Sequence, residues 1–323
     1  MPHAETRQAK PRGPLEWLLI GVVVFYAAVL LVGPLAAIFW GSLSHGLGVF
    51  WRAISVPNAR SALWLTLLLG ASATVINTVF GVVVAWVLVR DEFRGRKLVN
   101  GLIDLPFAVS PVIAGLMLIL LFGRNGWLTP IAEALGVKLV FSLPGMLLAT
   151  TFVSLPFVVR EVMPVLTYAG THQEDAACTL GASSWQTFWH VTLPTIRWGL
   201  LYGISLTLAR ALGEFGAVLV VSAGVSGLTE TATLFIYRSL DDRNQVAAYS
   251  MAMVLALISF TILLLMELFK RRADEQSRAA KSSNRNPVRN WIFSHRGTET
   301  QRKSCLCASV AESRLCLFRQ RRR

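Results

Sequence analysis

Ala62-Leu-Trp-Leu-Thr-Leu-Leu-Leu-Gly-Ala-Ser-Ala-Thr-Val-Ile-Asn-Thr-Val-Phe-Gly-Val-Val-Val-Ala-Trp-Val-Leu-Val89 runs from just beyond Arg60 to Arg90 without one ionisable side chain. About 20 mostly apolar residues carry a helix across the hydrocarbon of a bilayer, so this stretch spans with length to spare. Leu, Val and Ala dominate it, and the glycines inside are of the kind lipid-embedded helices tolerate. Counted by the same intervals between ionisable residues, five more spans emerge at roughly 15–40, 103–123, 139–166, 198–222 and 245–268. The chain therefore reads as all-α, a polytopic membrane protein with about six transmembrane helices. Gly33-Pro34, Pro106, Pro111 and Pro156 mark bends or unwound turns within spans.

Composition agrees with the spans and reassigns the charge. Of 323 residues, 54% are apolar and 15% charged, with 31 Lys and Arg against 18 Asp and Glu, a formal +13. Such basicity invites a nucleic-acid reading, but a mean hydropathy of +0.54 does not fit a polar, groove-facing surface. Fifteen of the basic residues and four of the acidic ones fall in 270–323, which leaves about +2 for everything before them. The organisation read from this is a cytoplasmic N-terminal segment (1–14), a transmembrane domain (15–269) containing a long loop (167–197), and a basic tail (270–323). After about residue 278 high charge without hydrophobic periodicity predicts disorder. The tail reads either as a polybasic segment drawn to anionic lipid heads or as sequence without a selected role, such as translation past a frameshift.

The apolar run from Leu15 to Trp40 follows Arg7, Lys10 and Arg12; it is too long for a signal core and reads as an uncleaved anchor. Cys178, Cys305, Cys307 and Cys316 show no metal-like spacing. Six spans put both termini on one side, and that side collects eleven Lys and Arg near helix ends against six opposite, which places both termini in the cytoplasm. Loop 167–197 then faces the cytoplasm and reads as helix, turn, helix: Glu174 to Leu180 lacks Gly and Pro, Gly181 can end a helix, and Ser183-Ser184 can start another. Loop 124–138, on the other side, has room for a small helix from Leu128 to Leu135.

Within loop 167–197, Glu174-Asp-Ala-Ala-Cys-Thr-Leu-Gly181-Ala-Ser-Ser-Trp-Gln-Thr-Phe-Trp-His-Val-Thr-Leu-Pro194 resembles the cytoplasmic signature of ABC-importer permeases. The family pattern is Glu-Ala-Ala, three residues, Gly, nine residues, Ile-x-Leu-Pro. Both spacings are kept by Asp175-Ala176-Ala177, Gly181 and Val191-x-Leu193-Pro194, with Asp175 in place of Glu and Val191 in place of Ile. The resemblance implies a coupling helix that seats in a groove of an ATPase subunit, with Glu174, Asp175, Ala176, Ala177, Leu180, Gly181, Val191, Leu193 and Pro194 as its residues. The residue types suit that role: small Ala176 and Ala177 permit close approach, Gly181 a sharp turn, and Pro194 a helix start without a wasted donor.

Three further strings narrow the resemblance. Arg210-Ala-Leu-Gly213-Glu214-Phe-Gly216 is similar to a string in oxyanion-importing permeases. Asp104-Leu-Pro-Phe-Ala-Val-Ser-Pro-Val-Ile-Ala-Gly115, which contains Ser110, and Pro156-Phe-Val-Val-Arg160-Glu161-Val-Met-Pro164 resemble the sulfate/thiosulfate importer permeases, the first string particularly the W-type subunit. The likeness covers about 15–275 and implies type I ABC importer permease architecture. Arg210 lies thirteen residues past Arg197, about 20 Å up a helix, where an unpaired charge costs roughly 2.5–3.5 kcal/mol. Glu214 at i, i+4 can offset part of that. Arg210 with Glu214 is read equally as a gate or pathway element and as a brace; Arg160 with Glu161 carries the same ambiguity, and Asp104 and Ser110 join them as pathway candidates.

No Gly-x-x-x-x-Gly-Lys-Ser/Thr loop and no catalytic constellation occurs in the sequence, so the energy must come from a partner. The resemblance supplies that partner set: a second, T-type permease, two ATPase copies that bind ATP and Mg, an extracytoplasmic sulfate-binding protein, and a bacterial inner membrane. This chain itself is read as binding no cofactor, no metal and no nucleic acid. Two rivals stay open, a permease for molybdate or tungstate and a secondary transporter using Arg210, Glu214 and Asp104 as a proton relay.

Overall fold

The computed structural model describes residues 14–284 apart from residues 125 and 135, and every regular element among them is a helix. In chain order these are α1 (Pro14–Leu43), α2 (Leu47–Ser55), α3 (Pro57–Arg90), α4 (Arg96–Ala108), α5 (Pro111–Phe122), α6 (Thr129–Ala134), α7 (Leu143–Ala169), α8 (His172–Thr179) and α9 (Ser184–Thr187). A π-helical turn (Phe188–Thr192) leads directly into α10 (Leu193–Leu212), followed by α11 (Gly216–Val221), α12 (Ala232–Asp241) and α13 (Gln245–Asn284). The chain divides into two compact units, residues 1–267 and 268–323.

Four of the helices are long and apolar enough to cross a membrane: Trp17–Leu43, Pro57–Arg90, Leu143–Ala169 and Gln245–Leu268. The run read as a span over 103–123 is a helix pair, α4 and α5, bent by 113°. Pro111 explains the break, since its ring lacks an N–H and pushes the residue before it out of helical geometry; Ser110 has φ −60° and ψ 138°. The run read over 198–222 is broken too, at Gly213, into α10 and the short α11. The small outer helix anticipated in 124–138 is α6.

Helices α3, α7 and α10 pack on one another at the centre, and α5 lies against α11. At one end of this bundle, where α3 and α7 finish and α10 begins, the core is Val82, Ala85, Leu88, Ile103, Val158, Val159, Val162, Leu166 and Ile196. Here backbones approach closely without help from a hydrophobic driving force in lipid, so small residues matter. A Cβ added to Gly81 would stand 2.8 Å from the Val158 side chain. Toward the other end, Ala59 and Ala62 of α3 pack with Phe235 of α12 and Met251 and Leu255 of α13.

Thr66, Thr74 and Thr150 inside the bundle donate to carbonyls one turn back on their own helices, as a lipid surrounding favours. Asn77 is fully buried on α3 and donates to the Thr151 carbonyl at 3.1 Å and to Ser154 Oγ at 2.9 Å on α7. The last turn of α1 meets α13, with Gly41 against the Tyr249 ring and Ser42 donating to Ser250 Oγ at 3.5 Å.

At the C-terminal end α13 continues to Asn284, a few residues into the stretch where disorder was expected after about residue 278. Residues 271–284 contain no Gly or Pro, and nine of the fourteen are Ala, Arg, Glu, Gln or Lys, all good helix formers. The N-terminal segment before Pro14 and the remainder of the tail after Asn284, with Cys305, Cys307 and Cys316, lie outside the described residues.

Candidate functional site

The most informative loop folds as two short helices around a tight turn. Helix α7 stops at Gly170, whose φ of +65° is a left-handed conformation that costs glycine nothing. Helix α8 ends in a pair of backbone bonds, Ala182 N–H to the Ala177 carbonyl (3.0 Å) and Gly181 N–H to the Cys178 carbonyl (3.0 Å), with Gly181 at φ +89°. That is the Schellman closure, and it explains why the turn takes glycine. Ser183 then restarts the helix through a capping box: its hydroxyl accepts from Gln186 N–H, and the Gln186 side chain accepts from Ser183 N–H at 2.9 Å. Pro194 sits in the first turn of α10, where the missing donor is harmless.

This geometry makes a knob. Asp175, Ala176 and Gly181 are exposed, Leu180 is 89% exposed at the turn, and Trp185 is 69% exposed just after it. Ala177, Val191 and Leu193 are half-buried at its base, with Leu193 packed on the core where α3, α7 and α10 meet. Leu180 and Trp185 thus leave apolar side chains exposed above the half-buried base.

Glu174 does something different from its neighbours. Its carboxylate is turned back into the protein, with the Arg90 guanidinium 3.0 Å away and the Thr192 hydroxyl donating to it at 2.8 Å. Arg90 also donates to the Gly170 carbonyl at 2.7 Å. Sequence reading counted Arg90 only as one of the basic residues flanking a span; its partner lies 84 positions away, a separation that leaves no local signal.

The pathway candidates separate into two pairs. Arg210 and Glu214 form an ion pair of 2.7 Å across the break between α10 and α11, and the Glu214 side chain is only 3% exposed. Glu214 Oε1 accepts from Ala217 N–H at 3.0 Å, and its backbone carbonyl accepts from the Thr233 hydroxyl at 2.9 Å. The Glu214 carboxylate thus caps α11 and holds Arg210, while its backbone carbonyl meets the α12 entry. Gly216, which opens α11, lies against Pro111 and Val112 at the start of α5, so the two broken spans meet at their breaks.

Arg160 was read beside Glu161, but the structure pairs it with Asp104 of α4, Nε donating to Oδ1 at 2.7 Å, and with the Asn100 carbonyl. Adjacent residues diverge by about 100° around a helix, and Arg160 therefore points to α4 while the Glu161 backbone and Cβ lie against Gly199 and Gly203 of α10. Both Arg160 and Asp104 remain partly exposed, unlike Glu214. Ser110 is exposed at the bend between α4 and α5, in line with α5 but not in contact with either pair.

A third pair was missed. Glu230 and Arg238 meet at 2.9 Å where the connection after α11 enters α12, and Ser226 bonds to both. Burial pushes the Glu230 carboxyl above its ordinary value, and Ser226 and Arg238 oppose this only in part. Its signal in the sequence was an acidic residue in an otherwise apolar and small-residue loop, too weak to separate from an ordinary solvated position.

Residues 77–275 match the family model described as binding-protein-dependent transport system inner membrane component. The chain is 47% identical over 258 residues to the sulfate transport system permease protein CysW of Synechocystis sp., covering 80% of this chain and 94% of that protein. To the CysT permease protein of the same organism it is 36% identical over 250 residues, covering 77% and 87%. Among solved structures, a bacterial ABC transporter involved in the import of alginate superposes with a TM-score of 0.67 at 17% identity, covering 80% of this chain and 96% of that one.

Proposed function

The chain belongs to the binding-protein-dependent transport system inner membrane component family, and from that premise we propose that it is the W-type permease subunit of a sulfate/thiosulfate ABC importer. It supplies half of the translocation path and takes its energy from a separate ATPase through the knob formed by residues 174–194. The observation that carries this reading is the loop itself: the spacing of Asp175, Gly181 and Leu193-Pro194 is realised as a helix, a left-handed glycine turn and a second helix that points an apolar tip away from the bundle. A secondary transporter has no use for such a knob.

The rest of the assembly follows from the same reading. A T-type permease completes the path, two ATPase copies bind ATP and Mg and receive the knobs, and an extracytoplasmic binding protein delivers the anion. Both termini then face the cytoplasm, in agreement with the bias of Lys and Arg toward that side. The greater likeness to CysW than to CysT of one organism supports the W-type position. In mechanism, closure of the ATPase dimer displaces the knobs, and the permeases change their access from one side to the other. That is an equilibrium between two states, and the knob contributes energy only by contacting the ATPase differently in each. Within this chain, Glu214 keeps Arg210 paired and α11 capped through the cycle, so the broken span moves as a braced unit; Arg210 is assigned to the brace because the Glu214 carboxylate it meets is buried, with one oxygen 2.7 Å from Arg210 and the other accepting from Ala217 N–H.

Uptake of labelled sulfate by cells lacking their own sulfate permeases, supplied with this chain and its partners, tests the substrate. Thiosulfate should compete and molybdate should not. Molybdate outcompeting sulfate would show that the ion is wrong while leaving the permease reading in place.

A further inference from the structure

One ion pair ties together four helix ends at the base of the knob. Arg90 is the last residue of α3; it donates to the carbonyl of Gly170, where α7 ends, and to Glu174 in the first turn of α8. Glu174 in turn accepts from Thr192, the last residue before α10. The charges are placed with the helix dipoles, a cation at the C-terminus of α3 and an anion at the N-terminus of α8, so each end favours the pair. Arg90 and Glu174 are 12% and 16% exposed, a dry enough setting for the contact to be rigid rather than a solvated surface bridge. A second, independent contact runs between the same elements: Trp86, one turn before Arg90 on α3, stacks on Phe188 of the π turn at 4.8 Å, and Phe188 in turn packs with Trp185 and Trp189.

We infer that Arg90 is a positioning residue for energy coupling: with Trp86 it makes the last turn of α3 the receiver of knob displacement, so that movement at Gly181 is passed to α3, α7 and α10 together instead of being absorbed as bending of the loop. The inference rests on the proposed importer function and deepens it. Without the clamp, the two-residue connection from α7 to α8 contains Gly170, a residue with the backbone freedom to act as a hinge. Cutting the clamp should therefore uncouple rather than disassemble.

The test uses the reconstituted importer carrying Arg90→Gln, Glu174→Gln, or both. ATPase subunits should co-purify with each variant, while sulfate taken up per ATP hydrolysed falls by about tenfold or more, within the range typical of coupling between sites. The double variant should lose no more than Arg90→Gln, because that single already breaks the ion pair to Glu174. An unchanged uptake per ATP in Arg90→Gln overturns the inference, as does a loss that matches the loss of assembled complex. A second readout needs no substrate: with the tail cysteines replaced by Ser, a spin label on Cys178 of α8 should gain mobility in Arg90→Gln. If the wild-type complex moves no sulfate, the functional reading fails, and unchanged label mobility still decides against the clamp.

Discussion

Removing Arg210 should damage the protein more than removing Arg210 and Glu214 together. In the intact chain the Glu214 side chain is 3% exposed and its two oxygens meet Arg210 and the Ala217 N–H. Arg210→Ala leaves that carboxylate buried with one neutral donor. Breaking a buried pair in this way costs about 3–5 kcal/mol, and insertion scales put an unpaired charge near a membrane-helix centre at roughly 2.5–3.5 kcal/mol, so about 3 kcal/mol is the working figure. Glu214→Ala is milder, because Arg210 is a third exposed and can turn to water or lipid headgroups; its cost is mainly the lost cap on α11, about 1 kcal/mol. The double variant leaves no buried charge and should sit near the milder single, recovering about 2 kcal/mol relative to Arg210→Ala. Reversible unfolding in mixed micelles, followed by tryptophan fluorescence, measures all four corners of the cycle. A double variant no more stable than Arg210→Ala would refute the brace and return the pair to the translocation path.

Gly181→Ala and Gly181→Arg should part company. Nothing lies within 4 Å of a Cβ at that position, so alanine meets only the strain of its φ of +89°, about 1–2 kcal/mol, and should still support uptake. Arginine puts a long cation on the tip of the knob, and uptake should vanish while the subunit remains inserted; normal uptake would remove the knob from the mechanism. Gly81→Ala drives a Cβ to 2.8 Å from Val158 and should destabilise by about 1–3 kcal/mol in a thermal assay, with Val158→Ala restoring part of the loss. For Glu230, whose pKa is raised by burial, the native state holds its proton more tightly than the unfolded chain does. That contribution is complete below the ordinary value of 4.5 and fades as pH rises through the raised one, so lowering pH from 7 toward 5 should stabilise the wild type relative to Glu230→Gln. A parallel pH profile for the two proteins would show that Glu230 does not titrate in this window.

The residues legible in advance were those whose meaning is local. Unbroken apolar runs gave α3, α7 and the membrane part of α13, and Gly181 with Ser183 gave the helix, turn and restart of the loop because capping acts over three to five residues. Pro111 marked the bend after α4 for the same reason. The break at Gly213 was obscured by continuous apolar character on both sides of Glu214, since hydropathy counts residues and not hydrogen bonds. What the sequence concealed were the contacts between helices: Arg160 with Asp104 and Arg90 with Glu174 each join positions more than fifty residues apart. A lone charge at the end of a span looks the same whether it faces water or closes a clamp.

Proteoliposomes carrying this chain, the T-type permease and the ATPase, with binding protein and labelled sulfate on the binding-protein side and ATP on the other, put the central claim to its most direct test. Accumulation should require hydrolysable ATP and persist when the proton gradient is collapsed. Accumulation that survives ATP depletion and disappears with the proton gradient would contradict the account and make the chain a secondary transporter.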